Sequence, residues 1–384
     1  MKVVLSTIGR FHVFNLALEL YRRGVLKSVF TGYPRFKLND AGIPHDMIRT
    51  YPWFHAPYMA FSSKFPYALK QQWENVDAVT FAAFVKRNLP ECDLYVGHSG
   101  SGLEAGRLAH KRGARYICDR GSAHIRLQDR LLREEHDLWG MPFSGIDPRT
   151  IAREEAEYDE ADRITIPSAF AYRSFVEQGI SAEKLRLLPY GVDVSRFQPV
   201  SKPVEDKFDV LFVGGMSLRK GVQYLVQAYQ RINHPAKSLT FIGAPSPDLI
   251  ALLIMRGLWP ADARVLGAMP QAELKNIMSL SHVLVLPSIE DGFGMVMAQA
   301  MACGCPVIAS RNTGGEDLFS DGREGYIVPI RDVDALAGRM QQMADNPDQR
   351  ANMGKCALEH VRNLGGWHSY GETAMAIYDE VLKK

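Results

Sequence analysis

The stretch Pro287 to Pro306 reads PSIEDGFGMVMAQAMACGCP: a short apolar run ends, two closely spaced glycines follow, and a Met- and Ala-rich segment begins. A turn of this kind at a helix start leaves several main-chain N–H groups unpaired. It aims them, with roughly half a positive charge from the helix dipole, at whatever anion docks there. Gly292 and Gly294 would supply positive φ and let a ligand reach the main chain. On glycine spacing alone an ordinary strand-to-helix turn reads the same way, so a second segment has to decide. Phe208 to Gly221, FDVLFVGGMSLRKG, is again an apolar strand running into glycines, with a helical pattern from Val222 to Tyr229 behind it. Arg219 and Lys220 stand at the mouth of that helix, where cations oppose the dipole and cost stability unless they share an anion. A solvated surface pair is the plainer reading of the two cations; a cradle for a diphosphate is the reading that uses both segments.

Together, VGGMSLRKG and DGFGMVMAQAMACGCPVIAS resemble the retaining nucleotide-sugar glycosyltransferases of family 4. Their GT-B fold is α/β, with two Rossmann-like doubly wound domains facing each other across a cleft. The resemblance extends to Tyr190-Gly-Val-Asp193 with Phe197 and Pro199, to Gly314-Gly-Glu-Asp317 and to Gly325-Tyr-Ile-Val-Pro329. Over the first 150 residues it is one of architecture only.

The resemblance implies roles residue by residue. Lys220 occupies the position of the phosphate-binding lysine. The arginine usual after the first glycine of that loop is replaced by Gly215, and Arg219 is the nearest cation to compensate. The two glutamates of the family signature fall on Asp291 and Gln299, eight residues apart; the first would face the transferred sugar and the second the ribose hydroxyls. Asp291 keeps the carboxylate one methylene shorter, and Gln299 keeps an acceptor oxygen without the charge. Glu290, beside Asp291, is the alternative carboxylate. Around the Gly292-Phe293-Gly294 turn, the N–H groups of Gly294, Met295 and Val296 would face the diphosphate, and Gly9 would let the first domain approach the same phosphates, with Arg10 nearby. The family's histidine for the sugar's primary hydroxyl follows the strand that here ends at Cys118. Arg120 stands at that position, with His124 and His98 as candidate replacements.

The implied reaction moves a hexose from a GDP- or UDP-sugar to a hydroxyl of a glycan or lipid-linked glycan, with retention, in surface polysaccharide synthesis. Fixed cations and aimed N–H groups would stabilise the leaving diphosphate, which itself takes the proton, so neither a metal nor another cofactor is expected. No close Ser/His/Asp set or paired acids stand out in the chain. A dinucleotide-dependent oxidoreductase is excluded because Ser6-Thr-Ile-Gly-Arg-Phe-His12 lacks the glycine fingerprint after the first strand. A sugar-nucleotide epimerase, a phosphorolytic enzyme and a non-catalytic nucleotide-binding scaffold share the fold and differ only in turnover. Nucleic acid is not an expected partner at a net charge of +2 without a recognition motif.

These residues need elements to hold them. Apolar strand patterns at Lys2–Thr7, Lys27–Thr31, Leu94–Gly97 and Arg115–Cys118 alternate with helical ones at His12–Arg23 and Leu103–Lys111, as a doubly wound sheet requires. Helix Arg153–Asp162, strand Arg163–Pro167, helix Phe170–Gln178 and strand Leu185–Leu188 continue it. Gln198 to Val204, with two prolines, reads as a linker between an acceptor-binding domain, 1–199, and a donor-binding domain, 205–366. The resemblance implies that the last helix, 367–384, returns to the first domain. At 384 residues and 46% hydrophobic content, each domain has enough material for its own core.

Charge is uneven: through Arg115 there are 16 Lys/Arg against 8 Asp/Glu, which leaves the rest of the chain at −6. Within this basic part, Tyr51 to Trp73 is dense in aromatics. That combination suits an anionic membrane surface, although aromatics packing an inserted subdomain would read the same. The start of the chain reads as a strand rather than a signal segment, and no apolar run approaches the roughly 20 residues that span a bilayer. The five cysteines lack metal or disulfide spacing. A cytoplasmic protein, peripheral at the inner face of the membrane, is the expectation.

Overall fold

In the computed structural model, which describes residues 1–62 and 65–383, the apolar runs form two wholly parallel sheets. The first contains β1 (Val3–Thr7), β2 (Leu26–Thr31), β3 (Ile48–Thr50), β4 (Leu94–His98), β5 (Arg115–Asp119), β6 (Arg163–Ile166) and β7 (Leu185–Leu187), in the order β3-β2-β1-β4-β5-β6-β7. The second contains β8 (Phe208–Val213), β9 (Lys237–Ile242), β10 (Ala263–Val265), β11 (Val283–Leu286), β12 (Val307–Ser310) and β13 (Gly325–Val328), in the order β10-β9-β8-β11-β12-β13. All five residues of β1 and all four of β11 are buried, because helices cover both faces of each sheet. In each sheet the strand order reverses once, between β1 and β4 and between β8 and β11. Crevices for ligands open at the C-terminal ends of strands at such switch points.

Two helices tie the domains together. The helix Gly366–Leu382 places Tyr370, Ala374 and Tyr378 in the core of the first domain, and Glu380 pairs there with Arg163 and Arg186. The helix Ile125–Trp139 belongs in sequence to the first domain, yet Leu127, Leu131 and Trp139 pack into the core of the second. On it, fully buried Glu135 accepts hydrogen bonds from Gln223 and Tyr224, each at 2.7 Å, and pairs with Arg331 at 2.8 Å.

The aromatic segment forms helix His55–Phe61 and the start of helix Tyr67–Asn88; its Ser63 and Lys64, like Lys384 at the C-terminus, lie outside the described residues. Trp73 turns inward, donating its indole N–H to the Phe54 carbonyl at 3.0 Å and stacking on Phe65. Trp53, Met59, Phe61 and Leu69 remain exposed. Among the described residues no helix is long and apolar enough to cross a membrane.

Candidate functional site

A cavity of about 1250 Å³ lies between the sheets. Its floor is the turn after β11. Gly294 holds φ at +76° and caps the helix Met295–Ala302. The N–H groups of Gly294, Met295 and Val296 have no protein acceptor among the described residues, as the first turn of a helix dictates. Gly294, Met295 and, one turn on, Gln299 face the cavity. Main-chain donors arranged in this way can receive an anion.

The cations stand beside it. Lys220 ends the short turn Leu218–Lys220, which Ser217 caps by accepting the Lys220 N–H at 3.3 Å. Gly221 lets that turn sit against the end of β11: its φ is +72°, and a Cβ there would lie 2.0 Å from the Pro287 carbonyl oxygen. Lys220 Nζ pairs with Asp291 Oδ2. Burial pushes the Asp291 carboxyl up, but Lys220 and Arg219 outweigh it and hold the group below the usual carboxylate range. Asp291 is therefore an anchored anion on the cavity wall.

Glu290 is not the alternative to Asp291 that adjacency suggested. It is fully buried and points to the other domain. Its Oε1 accepts from Ser122 Oγ at 2.6 Å and Ala123 N at 3.1 Å, and its Oε2 from Gln128 Nε2 at 3.0 Å and Arg219 Nε at 2.8 Å. Arg219, which lines the cavity, is thus shared between Glu290 and the site. Gly292 also differs from expectation, since its φ is not positive. A Cβ on it would lie 2.0 Å from the Gly121 carbonyl oxygen, so this glycine is there for the approach of the first domain.

On the opposite wall, Arg120 directly follows β5, pairing with Glu154 at 2.6 Å and donating to Gln128 at 2.9 Å. His124 is turned away and does not line the cavity. Its Nδ1 accepts from Arg126 N at 3.2 Å to cap the helix Ile125–Trp139, its ring packs on Tyr158 and Phe175, and burial, aided by Arg120, pushes its pKa down to about 4. His98 does line the cavity, its ring 5.1 Å from that of Phe11 between centroids. Gly9 is buried below the wall, Arg10 pairs with Asp40 at 2.8 Å, and Gly215 faces open space. Phe293 also faces the cavity, 5.3 Å from Tyr190 between ring centroids.

Two residues escaped the reading of the sequence. His12 lines the cavity, and its Nε2 lies 2.6 Å from Oδ2 of Asp119. With His98 Nδ1 at 3.5 Å from the same oxygen, these side chains are of metal-ligating type. Yet ligand atoms around one zinc sit about 3.3 Å apart, given bond lengths near 2.0–2.2 Å. The His12–Asp119 distance is that of a hydrogen bond. The signal for His12 was its place just after β1, at the switch point.

Residues 193–360, which carry the cradle, both cations and Asp291, match the family described as glycosyl transferases group 1. The second domain is a glycosyl transferases group 1 domain. A D-inositol 3-phosphate glycosyltransferase of Kribbella flavida is 29% identical over 252 residues, covering 60% of this chain and 59% of that protein. The chain spans between 56% and 62% of the length of that relative and two others of the same name. Among solved structures, sucrose-phosphate synthase from Thermosynechococcus elongatus has a TM-score of 0.77 at 22% identity, covering 100% of this chain and 99% of its own. Anabaena HepE, in complex with UDP and glucose, has a TM-score of 0.73 at 16% identity, covering 99% and 100%. At these identities the likeness shows the fold. It is GT-B, and the group 1 domain forms its second half.

Proposed function

We propose that the protein is a glycosyltransferase that moves a hexose from a GDP- or UDP-sugar to a hydroxyl of a glycan or lipid-linked glycan. The transfer retains anomeric configuration, needs no metal and serves surface polysaccharide synthesis. The observation that carries the reading is the trio of unpaired N–H groups at Gly294, Met295 and Val296 beside Lys220 and Arg219. Such an array suits a diphosphate whose charge grows as the sugar–oxygen bond breaks. The UDP and glucose bound by HepE support a nucleotide-sugar donor, and the name of the Kribbella relative supports transfer to a hydroxyl compound.

A ligand that binds only the native state raises its stability by mass action. Thermal unfolding with UDP, GDP, ADP, CDP and their sugars, each with and without EDTA, is expected to show a raised midpoint for one base, unchanged by EDTA. No shift with any of them would remove the donor assignment, and loss of the shift in EDTA would remove metal independence. The anomer formed, read by NMR, decides retention.

The exposed Trp53, Met59, Phe61 and Leu69 on the basic first domain support contact with an anionic membrane surface from the cytoplasmic side. Co-sedimentation is expected with vesicles containing anionic lipid and not with neutral ones. Equal partition with both would end this part of the proposal.

A further inference from the structure

Phe11 stands in the connection between β1 and the helix Val13–Arg22, and it lines the cavity while 54% exposed. A lone aromatic on a convex surface needs no explanation. This one stands in the cleft, and the chain around it is shaped to hold it there. A Cβ on Gly9 would lie 2.5 Å from Cε2 of the ring and 2.7 Å from Cζ, so the room that the glycine leaves is taken by Phe11. His98 flanks the ring at an interplanar angle of 33°. The Phe11 carbonyl accepts the Phe14 N–H at 3.3 Å, which fixes the backbone to the start of the helix. His98 ends β4, and β1 and β4 are the strands between which the order of the first sheet reverses. The ring is therefore held over the crevice at the switch point, where this fold receives ligands.

The surroundings of the ring say what could lie on it. Arg10, beside it, is held by Asp40 and by the Lys37 carbonyl. From Phe11 the cavity wall continues along the helix through Asn15, Leu18 and Arg22, which share one face at helical spacing. From the second domain the same cavity is lined by Phe293, Gly294 and Gln299. An alkyl or isoprenoid chain would need a continuous apolar surface, whereas Phe11 is bordered by Arg10, His98 and Asn15. A pyranose ring matches such a mixture. Its C–H groups carry partial positive charge and meet the negative face of an aromatic ring, while an amide such as that of Asn15 can both donate to and accept from hydroxyls.

We propose that Phe11 is the platform on which a pyranose ring of the acceptor lies, with its C–H face on the exposed side of the aromatic ring and its hydroxyl rim left to the polar side chains around it. The acceptor is thereby a sugar at the end that enters the cleft, whatever it is linked to beyond. The inference rests on the proposed glycosyltransferase activity and assigns to the first domain the seat of the second substrate.

The probes are the methyl α-pyranosides of glucose, mannose and galactose, added with UDP or GDP and followed by saturation-transfer NMR. In wild type at least one of them is expected to receive saturation at its ring C–H protons. Phe11→Ala is expected to weaken its binding about tenfold, the scale of one aromatic contact, while the midpoint shift given by the nucleotide is kept. Phe11→Tyr is expected to stay within about twofold of wild type, because the aromatic face is kept. No transfer to any of the three in wild type, or unchanged binding in Phe11→Ala, would overturn the inference. Wild-type binding in Phe11→Leu would overturn it as well, since a bare apolar contact would then suffice. A wild-type protein whose midpoint no nucleotide shifts would instead overturn the proposed function, so the nucleotide measurement tells the two failures apart.

Discussion

Turnover of a Lys220→Ala variant is expected to fall by about 10²–10³-fold, the cost of removing one preorganised group aimed at developing charge. Lys220 is only 21% exposed, because the Ser217 cap and the packing of Gly221 under Pro287 hold the turn against β11. Its ammonium is the direct partner of Asp291, and its loss does more than subtract a cation. It leaves a partly buried carboxylate less well paired next to the proposed diphosphate site, so repulsion adds to the missing attraction. Nucleoside-diphosphate binding, followed as the shift in thermal midpoint, is therefore expected to weaken along with kcat. Wild-type values for both would take Lys220 out of the site.

How much of this could be read from the chain depended on whether the cause was local. Each strand cited from the sequence lies within one or two residues of its place in the sheets, because a β-branched apolar run between turns has few alternatives. The Gly294 turn and the Lys220 turn were legible for the same reason, since positive φ and cations at a helix start leave marks in a few consecutive residues. The helix Ile125–Trp139 was missed. Its apolar positions serve two cores, and its buried Glu135 is satisfied only by residues about 90 and 200 positions away, a long-range pairing of the kind buried charges need. Gly292 was assigned the wrong reason: a glycine required by another domain's carbonyl looks the same in sequence as one required by its own φ. His124 was a candidate for the sugar's primary hydroxyl, but capping a helix that the sequence did not reveal fixes it elsewhere. His12 follows β1 and Asp119 ends β5, two strands joined through β4, so their meeting is a property of topology.

Glu290→Ala is expected to have the largest effect on stability. The carboxylate is fully buried and satisfies Ser122, Ala123 and Gln128 of the first domain together with Arg219 of the second. Arginine pairing and these donors hold it below its usual pKa in spite of burial, which pushes it up. Removing one member of a buried pair typically costs about 3–5 kcal/mol, since the partners are left without the groups that offset their desolvation. In domains of this size a kcal/mol moves the midpoint by about 2–4 °C, so a drop of roughly 10 °C is expected in calorimetry. A change below about 2 °C would mean that water replaces the carboxylate at little cost. Diphosphate binding is expected to survive in this variant, because Arg219 is released toward the cavity it already lines. The contrast with Lys220→Ala follows from one turn: consecutive residues there point opposite ways, Glu290 holding the domains together and Asp291 holding the lysine. Closing the cleft and aiming the cation thus depend on the same short stretch of backbone.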